Sequence, residues 1–137
     1  MIAVISIGSP LKGDDNIANI ILEKLEGDYL KIVGGVAPES VIGKAIDCEK
    51  VYFLDAVDFG EEPGSVRLFT TKEIEETQVS THGFPIQQLS KLLPDSKVFV
   101  IGIQPKDTSY REDLSEELEQ KKELIIQKVD SILSGSC

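Results

Sequence analysis

The chain has 137 residues, 41% hydrophobic and 28% charged, a globular balance that excludes wholesale disorder and fibrous repeats. That length suits a single domain spanning 1–137, burying roughly two-thirds of its unfolded surface. With 24 acids, 14 bases and one neutral histidine the formal charge is −10, so unspecific binding to nucleic acid or to an anionic membrane is electrostatically uphill.

The opening Met1-Ile2-Ala3-Val4-Ile5-Ser6-Ile7-Gly8 has no basic leader, and its apolar run is far shorter than the roughly 20 residues of a membrane span. Cys48 and Cys137 form neither a disulfide framework nor a CxxC site, so the expected compartment is the reducing cytoplasm.

In chain order, apolar runs alternate with helical stripes. Ile2–Ile7 reads as a strand buried on both faces, stopped by Gly8-Ser9-Pro10. Ile17, Ile20, Ile21 and Leu25 form one stripe of a helix, with Asp14 placed to cap its start and Gly27 its end. Tyr29–Val33 reads as a second strand, and Pro38 opens a short helix through Ile46. Lys50–Leu54 is the third strand; Val66, Leu68 and Phe69 mark a fourth, antiparallel at the edge. Pro85–Leu93 is a helix and Lys97–Ile103 a fifth strand. The last helix carries Leu114, Leu118, Ile125, Val129 and Ile132, with Asp113 and Glu116 as a capping-box variant. Strands interleaved with crossover helices predict an α/β three-layer sandwich: a mostly parallel, twisted five-stranded sheet with helices on both faces.

Open sheets of this kind place their sites beyond the strand C-termini, at the switch in strand order. After the first strand, Gly8-Ser9-Pro10-Leu11-Lys12-Gly13-Asp14-Asp15 resembles a phosphate cradle in its glycines. A P-loop, however, needs Lys-Ser/Thr where two aspartates stand. Two carboxylates at a helix start repel phosphate and suit a cation. Capping requires only one of them, which leaves Asp15 free to point along the sheet edge. Asp55 follows four apolar strand residues, where a carboxylate is costly unless paired. Asp58, before Phe59-Gly60, reads as a turn residue. His82, the only histidine, sits in a polar loop ahead of a helix. Asp15, Asp55 and His82 make an O/O/N donor set suited to Zn²⁺, Ni²⁺ or a similar ion. Cys48 reads as a small buried hydrophobe, and Glu39, Asp58 and Gln104 stay open as further members of the site.

Ile7-Gly8-Ser9-Pro10-Leu11-Lys12-Gly13-Asp14-Asp15, Gly34-Gly35-Val36-Ala37-Pro38-Glu39, Leu54-Asp55-Ala56-Val57-Asp58-Phe59-Gly60, Ser80-Thr81-His82 and Gly102-Ile103-Gln104-Pro105 together resemble the hydrogenase maturation endopeptidases. The likeness is strongest to the branch that processes hydrogenase-3-type large subunits, and it runs over nearly the whole chain. It implies a cytoplasmic peptidase, aspartic-type or nickel-dependent, that removes the C-terminal extension of the precursor of a [NiFe] hydrogenase large subunit once nickel is in place. It also implies a twisted sheet between helices; a monomer is expected, and the charge of −10 leaves no nucleic-acid or membrane partner. The family's metal-contacting trio falls on Asp15, Asp55 and His82, which the resemblance makes both catalytic and metal-binding. The nickel belongs to the substrate, no cofactor is permanently bound, and Cd²⁺ or Zn²⁺ would substitute in crystals. Two features depart from the pattern: Ser6 and Ser9 flank Gly8 where Gly-x-Gly-Asn is usual, and Val33 stands where an aspartate is common. The second departure leaves Asp15, Asp55 and His82 as the minimal set. The rival reading is a non-enzymatic nickel or small-ligand binding module on the same scaffold; a flavodoxin-like nucleotide binder is disfavoured by Asp14-Asp15.

Overall fold

A computed structural model describes residues 1–77 and 86–135. Its centre is a five-stranded sheet of β1 (Ile2–Ile7), β2 (Leu30–Gly35), β3 (Lys50–Ala56), β4 (Val66–Thr70) and β5 (Lys97–Ile103), in the order β2-β1-β3-β5-β4. β1 pairs parallel with β2 and β3, and β3 parallel with β5; β4 runs antiparallel at the edge against β5.

The two-residue period of a strand sorts the side chains into two cores. Ala3, Ile5, Ile7, Val51 and Phe53 pack on one face, Val4, Tyr52, Leu54, Ile101 and Ile103 on the other. Because both faces are covered, the central strands read as continuous apolar runs. Helices α1 (Ile17–Lys24) and, at the end of the chain, Glu116–Leu133 cover the second face through Ile17, Ile21, Leu118, Ile125 and Val129. The first face is covered by two 3-10 turns, Pro38–Ser40 and Ile42–Ala45, and by α2 (Thr71–Thr77) and α3 (Ile86–Lys91). The C-terminal helix is therefore α4, and the architecture is the three-layer α/β sandwich expected.

Local differences have local causes. The helix expected from Pro38 to Ile46 is two separate 3-10 turns, broken at Val41 (φ −122°, ψ −4°). A β-branched pair followed by Gly43 is poor helix material. α2 is additional, and its signature is plain in Thr70-x-x-Glu73: the Thr70 amide donates to Glu73 Oε1 (2.9 Å) and the Glu73 amide to Thr70 Oγ1 (3.1 Å). α4 starts after Ser115, whose hydroxyl accepts from the Leu118 amide at 3.4 Å, so the Asp113–Glu116 box does not form its cap. β3 runs two residues past Leu54, because Asp55 and Ala56 still pair with Gly102 and Ile103. Asp55 is thus held inside a strand rather than in the turn after it.

Candidate active site

The strand order reverses between β1 and β3, since the chain leaves β1 for β2 on one side and β3 lies on the other. The loops above this switch diverge and leave a crevice at the sheet's C-terminal edge. Asp15 reaches it from the 3-10 turn Gly13–Asn16, Asp55 from the end of β3.

The first loop is folded tightly back on β1. Gly8 has φ +146°, and a Cβ built there would lie 1.9 Å from the Asp15 carbonyl oxygen, so no side chain fits. The backbone closure brings the Ser9 amide onto Asp15 Oδ2 at 2.8 Å. Behind it the Ser6 hydroxyl donates to Asn19 Oδ1 (2.7 Å), and Asn19 Nδ2 donates to the Gly8 carbonyl (3.1 Å) and to Asn16 Oδ1 (2.9 Å). Ser6 and Ser9 thus give this loop its own internal bracing.

Asp55 shares its face with Val51 and Phe53 by strand parity and is 1% exposed. The β5 residue opposite it is Gly102, which adds no side chain. Among the described residues Asp55 Oδ2 has no hydrogen-bond partner. Burial pushes this carboxyl well above the usual carboxylate range, the charge of nearby Asp15 adds to the rise, and the Ala56 amide opposes it. Two buried carboxyls, one with an orphaned oxygen, cannot both carry charge cheaply. A proton shared between them or a cation set against both relieves the repulsion.

Asp14 does not cap α1. Its carboxylate, fully buried, accepts instead from the Lys106, Asp107 and Ser115 amides. Asp58 is the turn residue expected, with Oδ1 accepting from the Gly60 amide (3.2 Å) and from Gln104 Nε2 (3.1 Å). Gln104, 5% exposed, clasps the same turn through Oε1, which accepts from the Phe59 and Glu61 amides at 2.8 and 3.3 Å. Its amide is therefore spent within the fold. Glu39 is exposed in the 3-10 turn after β2, and Val33 is 64% exposed on that edge strand. Cys48 is buried, as expected of a small hydrophobe. His82 lies outside the described residues; among the described ones no three His, Cys, Asp or Glu side chains converge, and Asp15 with Asp55 stands as a pair. The sequence reading missed the Asn19 brace, although an amide in the apolar run of residues 17–22 pointed to a partner.

The family model for HycI, hydrogenase maturation protease, matches residues 21–132. The chain belongs to that family. It is 26% identical over 136 residues to the hydrogenase 3 maturation protease of Escherichia coli (strain K12), covering 93% of this chain and 87% of that one. The solution structure of the endopeptidase HycI from E. coli superposes with a TM-score of 0.80 at 25% identity, over 96% and 90% of the two chains. The crystal structure of a [NiFe] hydrogenase maturation protease HycI from Thermococcus kodakarensis KOD1 superposes with a TM-score of 0.78 at 28% identity, over 97% and 92%. The five-stranded α/β sandwich of this hydrogenase maturation protease family member is thus shared with solved relatives along nearly its whole length. No helix among its described residues is long and apolar enough to cross a membrane.

Proposed function

We propose that this protein is the endopeptidase that removes the C-terminal extension from the nickel-loaded precursor of a [NiFe] hydrogenase large subunit. In this reading Asp15, Asp55 and His82 recognise the nickel that the substrate brings. The observation that carries it is the buried carboxyl of Asp55, whose Oδ2 has no partner among the described residues, beside Asp15. Such a pair is costly in the empty protein and becomes favourable when a divalent cation arrives between the two groups. His82 lies between α2 and α3 in the chain, and those two helices cover the face that Asp55 shares with Val51 and Phe53.

In this reading, recognition of nickel through the site restricts cleavage to the loaded precursor. A difference of about 3–4 kcal/mol in binding gives a several-hundredfold preference for it. Two chemical routes fit the donor set. Nickel held by the carboxylates polarises the scissile carbonyl, or nickel only docks the substrate and a carboxylate oxygen takes the proton of the attacking water. No resident cofactor enters either route; Cd²⁺ or Zn²⁺ would stand in for nickel in crystals. The reading places a monomeric enzyme in the cytoplasm, with the precursor as its partner and no role for nucleic acid or membrane.

The test is to incubate the protein with nickel-loaded and nickel-free precursor and weigh the products. Loss of a C-terminal peptide from the loaded form alone is the expected result. Unchanged mass with metal transferred to the protein would make it a carrier, the non-enzymatic alternative.

A further inference from the structure

Asp14 is fully buried yet belongs to no donor set. Its carboxylate is filled by amides from distant parts of the chain. Oδ2 accepts from the Lys106 and Asp107 amides, both at 2.8 Å, and Oδ1 from the Ser115 amide at 2.7 Å. Lys106 and Asp107 belong to the loop after β5, and Ser115 is the N-cap of α4. Backbone bonds reinforce the junction: the Asp14 amide donates to the Asp107 carbonyl (2.8 Å), the Gly13 amide to the Arg111 carbonyl (2.9 Å) and the Arg111 amide to the Leu11 carbonyl (3.0 Å). Gly13 (φ +52°) permits this approach, because a Cβ there would meet the Asp107 carbonyl oxygen at 2.7 Å.

The receiving loop is itself braced. Asp107 accepts from the Ser109 hydroxyl (2.6 Å) and amide (2.9 Å) and from the Arg111 guanidinium (3.0 Å), contacts that hold its carboxyl down to about 2. Asp14 and Asp15 are consecutive in one 3-10 turn, where neighbouring side chains leave the axis about 120° apart. One therefore reaches toward α4 while the other reaches toward the sheet edge.

We infer that Asp14 is a positioning residue, which locks the Gly13–Asn16 turn to the β5–α4 loop and so fixes where Asp15 stands relative to Asp55. The inference rests on the reading of Asp15 and Asp55 as the nickel-recognising pair. A cation held by two carboxylates from different elements tolerates little error in their separation, and a misplacement of about 1 Å at such a site costs on the order of a hundredfold.

Asp14→Asn keeps the shape but turns an amide NH₂ toward at least one backbone N–H. The experiment compares this variant with wild type and with Val129→Ala, a buried α4 substitution remote from the site, at a temperature where circular dichroism shows all three folded. Asp14→Asn should bind Cd²⁺ at least tenfold more weakly and cut nickel-loaded precursor with kcat/KM at least tenfold lower, while Val129→Ala matches wild type in both. Should Asp14→Asn not fold, Ser115→Pro, at a residue whose φ of −59° suits proline, replaces the donor to Asp14 Oδ1 with the ring Cδ and so displaces that carboxylate oxygen. It should then weaken Cd²⁺ binding well beyond Ser115→Ala, which loses only the hydroxyl. Wild-type Cd²⁺ affinity in folded Asp14→Asn or Ser115→Pro would overturn the inference. If wild type binds Cd²⁺ but leaves loaded precursor intact, the peptidase reading fails, and Asp14 is judged on the Cd²⁺ affinities alone.

Discussion

Asp55→Asn should make the metal-free protein more stable, by an amount that grows with pH. Burial and the Asp15 charge hold the Asp55 carboxyl well above its ordinary value of 3.8. Above that value the unfolded chain has released its proton while the folded chain still holds one. Wild-type stability therefore falls as pH rises, by up to about 1.4 kcal/mol per unit, until the folded carboxyl itself ionises. Asparagine has no proton to lose and brings no second charge beside Asp15. Between pH 5 and 6.5 the gap between variant and wild type should widen by up to about 2 kcal/mol. Urea unfolding in the presence of a chelator, followed by circular dichroism at several pH values in that range, measures it. Parallel stability curves would refute the argument, because they would mean that Asp55 is charged in the folded protein at no cost. The same variant should fail to process precursor, a trade of function against stability usual at strained sites.

Other substitutions probe the frame around the pair. Gly8→Ala places a Cβ against the Asp15 carbonyl and should cut processing at least tenfold in a protein that still folds, as precursor cleavage alongside circular dichroism would show. Gln104→Leu strips the Phe59 and Glu61 amides of a buried acceptor; denaturant unfolding should show a loss of about 2–3 kcal/mol. Asp15→Asn and His82→Ala should each abolish cleavage of nickel-loaded precursor, measured by mass, without loss of fold.

The central strands were legible because they are buried on both faces and stop at turn residues, Gly8-Ser9-Pro10 after the first and Gln104-Pro105 after the last, so Ile2–Ile7 and Lys97–Ile103 match their predicted ends. The antiparallel edge strand was legible from the glycine-bounded turn before it, Gly60 to Gly64. Less visible were features set by contacts far apart in the chain. Asp14 looks locally like a helix cap, yet its partners are 92, 93 and 101 residues away, and no local pattern carries such a pairing. Gln104 similarly reads as a strand stop or a ligand contact until the Asp58–Glu61 turn closes over it. The two carboxylates could be named from their places after β1 and near the end of β3, because topology alone brings those two ends together. That Asp55 is buried, with one oxygen unpartnered among the described residues, follows only from the extra strand residues and from Gly102 opposite, which the sequence does not announce. The α2 capping box was legible and was overlooked, since Thr70-x-x-Glu73 is a local signal.

The most direct test of the account is a crystal of this protein soaked in Cd²⁺, with the ion located by its anomalous scattering. The account predicts one dominant peak bonded to carboxylate oxygens of both Asp15 and Asp55, with the His82 imidazole as a third donor. A dominant peak elsewhere, or an ion bonded to only one of the two aspartates, would contradict it.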